Sequence, residues 1–230
     1  MKIVSSQALS NPAYFKTGIK SFDTAYGGLR SGLVYLVSGE EKSGRTSLAL
    51  QIACIASRDS VRTYFLDCGG HIHYLRLSRI AAHWGADLSK IKITFPRSFK
   101  EQERTIIWVA DTAPAGSLVI ADDFTYLHRV QMVGDVNIDK SLFHSLAFQM
   151  ACLKEACKTR NLTSIFITDV HDVPPKGITT PVASAITTYF ADVHLRLFSD
   201  VSGLKMLKVV QGLPTGEYRL RIHEGGISED

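Results

Sequence analysis

The sequence predicts an α/β protein: a mostly parallel twisted sheet with helices on both faces, ending in an antiparallel β meander. Three observations predict it. Short apolar runs alternate with stretches of helical periodicity between residues 33 and 169. A glycine-rich turn stands between the first run and the first long helix. Three segments of period-two alternation follow Asp192. Strands and helices alternating at these lengths demand crossovers of one hand and a sheet covered on both faces.

The elements follow in order. "LVYLVSG" (33–39) is rich in branched and aromatic residues and stops at a glycine, as a buried parallel strand does. "RTSLALQIACIAS" carries apolar residues at helical spacing, and "VRTYFLD" (61–67) closes a β-α-β unit. The pattern then repeats as a helix over "LRLSRIAAHWG", a strand at "IKITF", a helix over "FKEQERTIIWVADTA" and a strand at "SLVIADD". A long helix from about Leu142 to Thr159 and a strand at "TSIFITD" complete it. "DVHLRLF", "KMLKVVQ" and "EYRLRIHE" alternate as antiparallel strands do. Two stretches, Tyr126–Lys140 and Val170–Val182, fit no element. They are expected to be long loops at the carboxyl ends of strands, where open α/β sheets bind ligands.

With 230 residues, 45% hydrophobic and 21% charged, the chain suits one globular domain over 1–230, residues 1–16 forming an extension before the core. The N-terminus lacks an apolar signal region and no apolar run approaches the roughly 20 residues a bilayer requires, so a soluble, cytoplasmic chain without a membrane partner is expected. Cys54, Cys68, Cys152 and Cys157 lie in or beside apolar segments, without C-x-x-C spacing, and read as reduced small hydrophobes. A net charge of +4 permits an anionic partner without establishing one. Between His194 and Ile222, five basic residues stand against two acidic ones.

The turn "GEEKSGRTS" is one residue away from the phosphate-binding pattern G-x-x-x-x-G-K-[ST]. Such a loop cradles phosphates with backbone N–H groups at a helix N-terminus, reaches the outer phosphates with lysine, and holds magnesium with its hydroxyl. Gly39, Gly44 and Thr46 occupy three of the four places. Arg45 keeps the charge, but its planar fork cannot place that charge as an ammonium does. The candidate nucleotide-binding residues are therefore Gly39, Glu40, Glu41, Lys42, Ser43, Gly44, Arg45, Thr46 and Ser47, for ATP or ADP with Mg. Asp122, ending an apolar strand, is the magnesium partner alongside Thr46. Asp123 is left as a capping or solvent-facing acid.

With these motifs in place the chain resembles the core ATPase domain of the RecA/RadA recombinase superfamily, and within it the archaeal RadB-type paralogues. "TGIKSFDTAYGGLRSG" (17–32) is similar to T-G-x-x-x-L-D-x-x-x-G-G-x-x-x-G. "LDCGGHIHYLRLSRIAAHWGAD" is similar to the family segment D-T-E-G-x-F-x-P-E-R-L-x-x-I-A-x-x-x-G, with Asp67, Gly70, Arg76, Leu77, Ile80, Ala81 and Gly85 in register. "FKEQ", "TTPVA" and "LPTGEYRLRIHEGGI" add further short matches in order. The resemblance implies a RecA-like P-loop ATPase core, and it also shows departures. Gly69 stands where the family's water-orienting glutamate belongs, so no catalytic residue is assigned. The asparagine–glutamine pair that senses the terminal phosphate corresponds to Asp169 and Val170. The chain starts only about a strand's length before the core, so an N-terminal helical domain and self-filamentation are not expected.

The expected function is that of a nucleotide-binding, DNA-binding accessory protein of homologous recombination and DNA repair, with weak or absent ATP hydrolysis. Implied partners are single-stranded or branched DNA, a recombinase of the RadA type and a junction-processing nuclease. Candidate DNA contacts are Arg129, Lys140 and Lys176 in the two long loops, and Lys205 and Lys208 in the basic C-terminal strands. The rival readings are a KaiC-like signalling ATPase using Glu40 or Glu41 as base, and a nucleotide-free paralogue that docks on a recombinase. His71 and His73, two apart, would share one face of a strand, but no third metal ligand accompanies them. Trp84 and Trp108 read as core. Phe124 and Tyr126, beside His128 and Arg129, suit either packing or contact with a single strand.

Overall fold

The computed structural model describes residues 13–173 and 178–230. A small ribbon of β1 (Tyr14–Phe15) and β2 (Leu29–Arg30) encloses α1 (Lys20–Tyr26). The main chain of elements is β3 (Val34–Gly39), α2 (Arg45–Arg58), β4 (Thr63–Asp67), α3 (Tyr74–Trp84), β5 (Ile91–Thr94), α4 (Phe99–Thr112), β6 (Leu118–Asp122), α5 (Tyr126–Gln131) and α6 (Val136–Arg160). It continues with β7 (Thr163–Val173), β8 (Ile178–Pro181), α7 (Ser184–Phe190), β9 (Val193–Ser199), β10 (Lys205–Gln211), β11 (Glu217–His223) and β12 (Gly226–Glu229).

The strand order is β12-β11-β10-β9-β3-β7-β6-β4-β5. From β9 to β5 every pairing is parallel, and from β9 to β12 every pairing is antiparallel. Strand β3 is buried along its whole length, because Tyr35 and Val37 join the core under α2 and α3 while Val34 and Leu36 join that under α4 and α6. Burial on both sides is why these strands read as continuous apolar runs.

Three sequence expectations change. Residues 126–140 are not a loop: α5 occupies Tyr126–Gln131, and the long helix starts at Val136 rather than Leu142. The Asp135 carboxylate caps that helix, accepting from the N–H groups of Asn137 and Ile138 at 2.9 and 3.1 Å. The described residues of 170–182, which are 170–173 and 178–182, are not an open loop either. Strand β7 runs on to Val173 and pairs antiparallel with β8, Val170 opposite Pro181 and Asp172 opposite Thr179. The third change concerns Trp108, which is 43% exposed. It stands edge-on to Tyr64, with Lys92 Nζ 4.3 Å from the ring centroid. Trp84 does pack on the core and donates to the Gly225 carbonyl at 3.0 Å. All four cysteines are free thiols, three of them buried. Among the described residues no helix is long and apolar enough to cross a membrane.

Candidate nucleotide-binding site

β3 ends at Gly39 and α2 begins at Arg45, so residues 40–44 form the turn that carries the helix back over the sheet. Its glycines are required by contact. A Cβ on Gly39 would run into the Leu197 carbonyl of β9 and stand 2.8 Å from Ser43 Oγ. Gly44 has φ 102, in the left-handed region, and a Cβ there would lie 2.9 Å from Ile222 Cδ1. No side chain caps α2. Its first N–H groups therefore face the cleft above the loop, a ready site for an anion. That cleft, about 600 Å³, is walled by the loop, His71, Tyr126, Arg129, Asp169 and Ile222. It lies beyond the carboxyl end of β3, beside Asp169 and Val170 within β7.

The charge arrangement is the site's most specific feature. Asp169 is the Cα partner of Gly39 across β3 and β7, which places its carboxylate beside the root of the loop. The Arg45 guanidinium donates to it, and stands 3.9 Å from Asp123 Oδ2. Arg129 from α5 approaches the same acids, at 2.7 Å from Asp169 and 3.5 Å from Asp123. Two guanidinium groups and two carboxylates thus form one cluster, with Asp123 fully buried and Arg45 9% exposed. Burial and the Asp169 charge push the Asp123 pKa up. Burial works to raise Asp169 as well, but the charge and hydrogen bonds of Arg45 and Arg129 outweigh it and hold its carboxyl low. Asp123 is not solvent-facing: it accepts from Thr125 N and Oγ1 and from Asp169 N.

Asp122 lies on the neighbouring side of the loop and is buried, with Oδ2 unpartnered. Ser43 Oγ and Arg45 Nη1 are likewise buried without partners. An unmade bond of this kind is costly, so three orphaned polar atoms around one loop fit a bound phosphate and its metal. Asp122 and the Thr46 hydroxyl are the residues that could hold Mg there, where the metal would screen the phosphate charge. Burial pushes the Asp122 carboxyl up to about 6; the Thr46 hydroxyl opposes the rise and the Asp123 charge adds to it. A raised carboxyl stabilises the fold below its unfolded value, and that contribution is lost as pH rises through about 6. Asp122→Asn, which cannot titrate, should therefore gain roughly 2 to 3 kcal/mol on wild type between pH 4 and pH 8. Urea unfolding at the two pH values checks this; parallel pH dependences would refute it.

The other sequence candidates are spread more widely. Glu40 sits 3.9 Å from Arg196 and Glu41 is 3.8 Å from Lys42 at the exposed rim. Ser47 Oγ accepts from Arg76, which also donates to the His223 and Gly226 carbonyls and so ties α3 to the meander. Arg129 is drawn into the cleft, whereas Lys140 is exposed on α6. Lys176 lies outside the described residues, as do residues 1–12 of the N-terminal extension. Lys205 and Lys208 are on opposite faces of β10, three residues apart on a strand of period two. Phe124 is buried against Phe166, and His128 against Phe99 and Phe143, so both are packing residues; Tyr126 lines the cleft. His71 and His73 precede α3 in a turn rather than a strand, and no metal-binding cluster occurs among the described residues. Beside Gly69, the space a side chain would enter is filled by the His71 ring, 2.6 to 2.9 Å from an ideal Cβ. Asp67 accepts from the N–H groups of His71 and Ile72, which occupies both its oxygens. Sequence reasoning missed the partnership of Arg45 with Asp123 and Asp169. A signal was present: two acids at the ends of adjacent strands beside an arginine that replaces lysine.

The fold and this loop together define a RecA-like P-loop protein. No protein-family model matches the chain. It is 29% identical over 187 residues to the DNA repair and recombination protein RadB of Thermococcus kodakarensis, covering 79% of this chain and 81% of that protein. The RadB protein of Methanosphaera stadtmanae is 25% identical over 191 residues, and that of Thermoplasma acidophilum 21% identical over 220, or 93% of each chain. The chain is thus similar over most of its length to RadB-type proteins of the archaeal RecA/RadA superfamily.

Proposed function

We propose that this protein is a nucleotide-binding, DNA-binding accessory factor of homologous recombination and DNA repair with little or no ATP turnover. The recombination and repair role is supported by the names of the RadB relatives. One observation carries the rest: the cation of the phosphate loop is bound to Asp169, at the base of the β7–β8 hairpin. A phosphate entering the loop competes with Asp169 for Arg45, so nucleotide occupancy is read by the hairpin. In this reading the hairpin contacts single-stranded or branched DNA, and a RadA-type recombinase or a junction-processing nuclease is the protein partner. The low turnover follows from the cleft's acids. Asp67 is occupied by backbone N–H groups, Asp123 and Asp169 by arginines, and Glu41 is 87% exposed beside Lys42.

Titration with ATP and ADP, followed by thermal unfolding with and without magnesium, tests the reading. A nucleotide at 100 times its dissociation constant adds about 2.7 kcal/mol. Absence of any shift with either nucleotide would leave a purely docking paralogue instead.

A further inference from the structure

A second cavity, about 650 Å³, lies beneath the β7–β8 hairpin. Val37, Leu195, Leu197, Leu207 and Val209 belong to the core on the α2 side of the sheet. By strand alternation the intervening residues, Ser38, His194, Arg196 and Lys208, face the other side and line this cavity. The hairpin and α7 roof it with hydroxyl groups, among them Thr179 and Thr188.

The charges here are unusual. Arg196 and Lys208 are Cα partners across β9 and β10, a position where like charges destabilise a sheet. Little in the cavity offsets them. The Arg196 guanidinium donates to the Thr179 hydroxyl, its nearest carboxylate is Glu40 at 3.9 Å, and its buried Nε has no partner. Lys208 leans outward to Glu217 at 2.5 Å. Burial pushes the His194 pKa down to about 4, with the Arg196 charge adding to the effect. The ring is therefore neutral at physiological pH, where it shares a 2.7 Å hydrogen bond with Ser38 Oγ.

We infer that this cavity is a second anion site, taking one phosphate group between Arg196 and Lys208 with the Thr179 hydroxyl, which accepts from Arg196 and keeps its own proton, as a further donor. The phosphate comes either from a single-stranded DNA backbone or from a free phosphate. Arg196 also stands 3.9 Å from Glu40, the first residue after Gly39, so the cavity is linked to the phosphate loop through this one side chain. The inference deepens the DNA-binding part of the proposed function and is independent of nucleotide in the first cleft.

The test compares Lys208→Gln with Lys205→Gln, which removes the same charge from the opposite face of the same strand. The probes are a short fluorescent oligothymidylate and inorganic phosphate. With the oligonucleotide, Lys208→Gln should lower the slope of log affinity against log salt by about 0.7, one single-strand phosphate contact. With phosphate, it should show a smaller rise in unfolding temperature than Lys205→Gln. Because Lys208→Gln also strips Glu217 of its partner, Glu217→Gln is run beside it; freeing Lys208 should tighten phosphate binding. A Lys208-dependent phosphate effect in a protein that ignores the oligonucleotide supports the site and removes the DNA reading. Oligonucleotide binding with equal losses in the two lysine variants, and equal phosphate responses, overturns the site and leaves the DNA reading standing. Failure of Glu217→Gln to tighten phosphate binding overturns the site as well.

Discussion

Arg45→Lys leaves phosphate release from saturating ATP near its background, and adding Gly69→Glu raises it by roughly 10² to 10⁴. The arginine is the visible departure in the loop, but it is the smaller one. A lysine restores a compact cation to the outer phosphates, whereas a positioned base is worth about 3 to 5 kcal/mol of barrier and no lysine supplies it. The cleft explains why Gly69 is the deeper lesion: Asp67 is committed to backbone N–H groups and Asp169 to arginines, and Asp122 is the acid proposed for magnesium. Glutamate at 69 meets no forbidden backbone angle, since the left-handed residue is the neighbouring Gly70, with φ 68. The obstacle is the His71 ring, which is a side-chain end and can turn away. The triple variant with His71→Ala removes it. Phosphate release is measured on each variant, with circular dichroism to confirm folding. Vigorous hydrolysis by the wild type, or full rescue by Arg45→Lys alone, would place the defect at another residue.

Asp169→Asn should destabilise the nucleotide-free protein by about 1 to 3 kcal/mol, less than the loss of a fully buried ion pair because the Asp169 side chain is 26% exposed. Arg45 is 9% exposed and would keep only Asp123, at 3.9 Å, as its countercharge. Arg129 is 39% exposed and can turn toward solvent, so the loss falls mainly on Arg45. A nucleotide phosphate supplies the missing negative charge. Part of the lost stability should therefore return with saturating ADP, and the variant should gain more from the nucleotide than wild type does. Urea unfolding with and without ADP gives both numbers. If the variant is as stable as wild type, Arg45 is not held by Asp169; if ADP stabilises the two proteins equally, the ion pair and the phosphate do not compete.

Much of the architecture was legible because it is written locally. Strands buried on both faces read as apolar runs, and α2, α3 and α4 carry their apolar residues at helical spacing. The C-terminal strands alternate. Between residues 126 and 140 the signal failed for a physical reason. Val130, Val133, Val136 and Ile138 are apolar yet exposed, so no buried stripe marks a helix, and the start of α6 rests on the single cap Asp135. The β7–β8 hairpin was hidden because its partner strand is four residues long and ends in proline, and only pairing with β7 makes it a strand. The opposite orientation of Lys205 and Lys208 was in principle readable, since three residues on a strand invert the face.

The chain alone determined the strand, turn and helix of the phosphate loop, because Gly39, Gly44 and the hydroxyl of Thr46 act through their own backbone and immediate neighbours. Its resemblance to the family pattern also implies that the pattern's lysine and glutamate are replaced at Arg45 and Gly69. What the Arg45 charge does instead was decided by the tertiary structure. Asp169 is 124 residues away and becomes a neighbour only because β7 adds beside β3 in register, Gly39 against Asp169. A guanidinium can satisfy a phosphate or a buried carboxylate with the same donors, and composition does not say which will be nearer. The order of the strands does, because it sets which acids are buried beside the loop, where removal from water makes an unpaired charge costly and the ion pair specific.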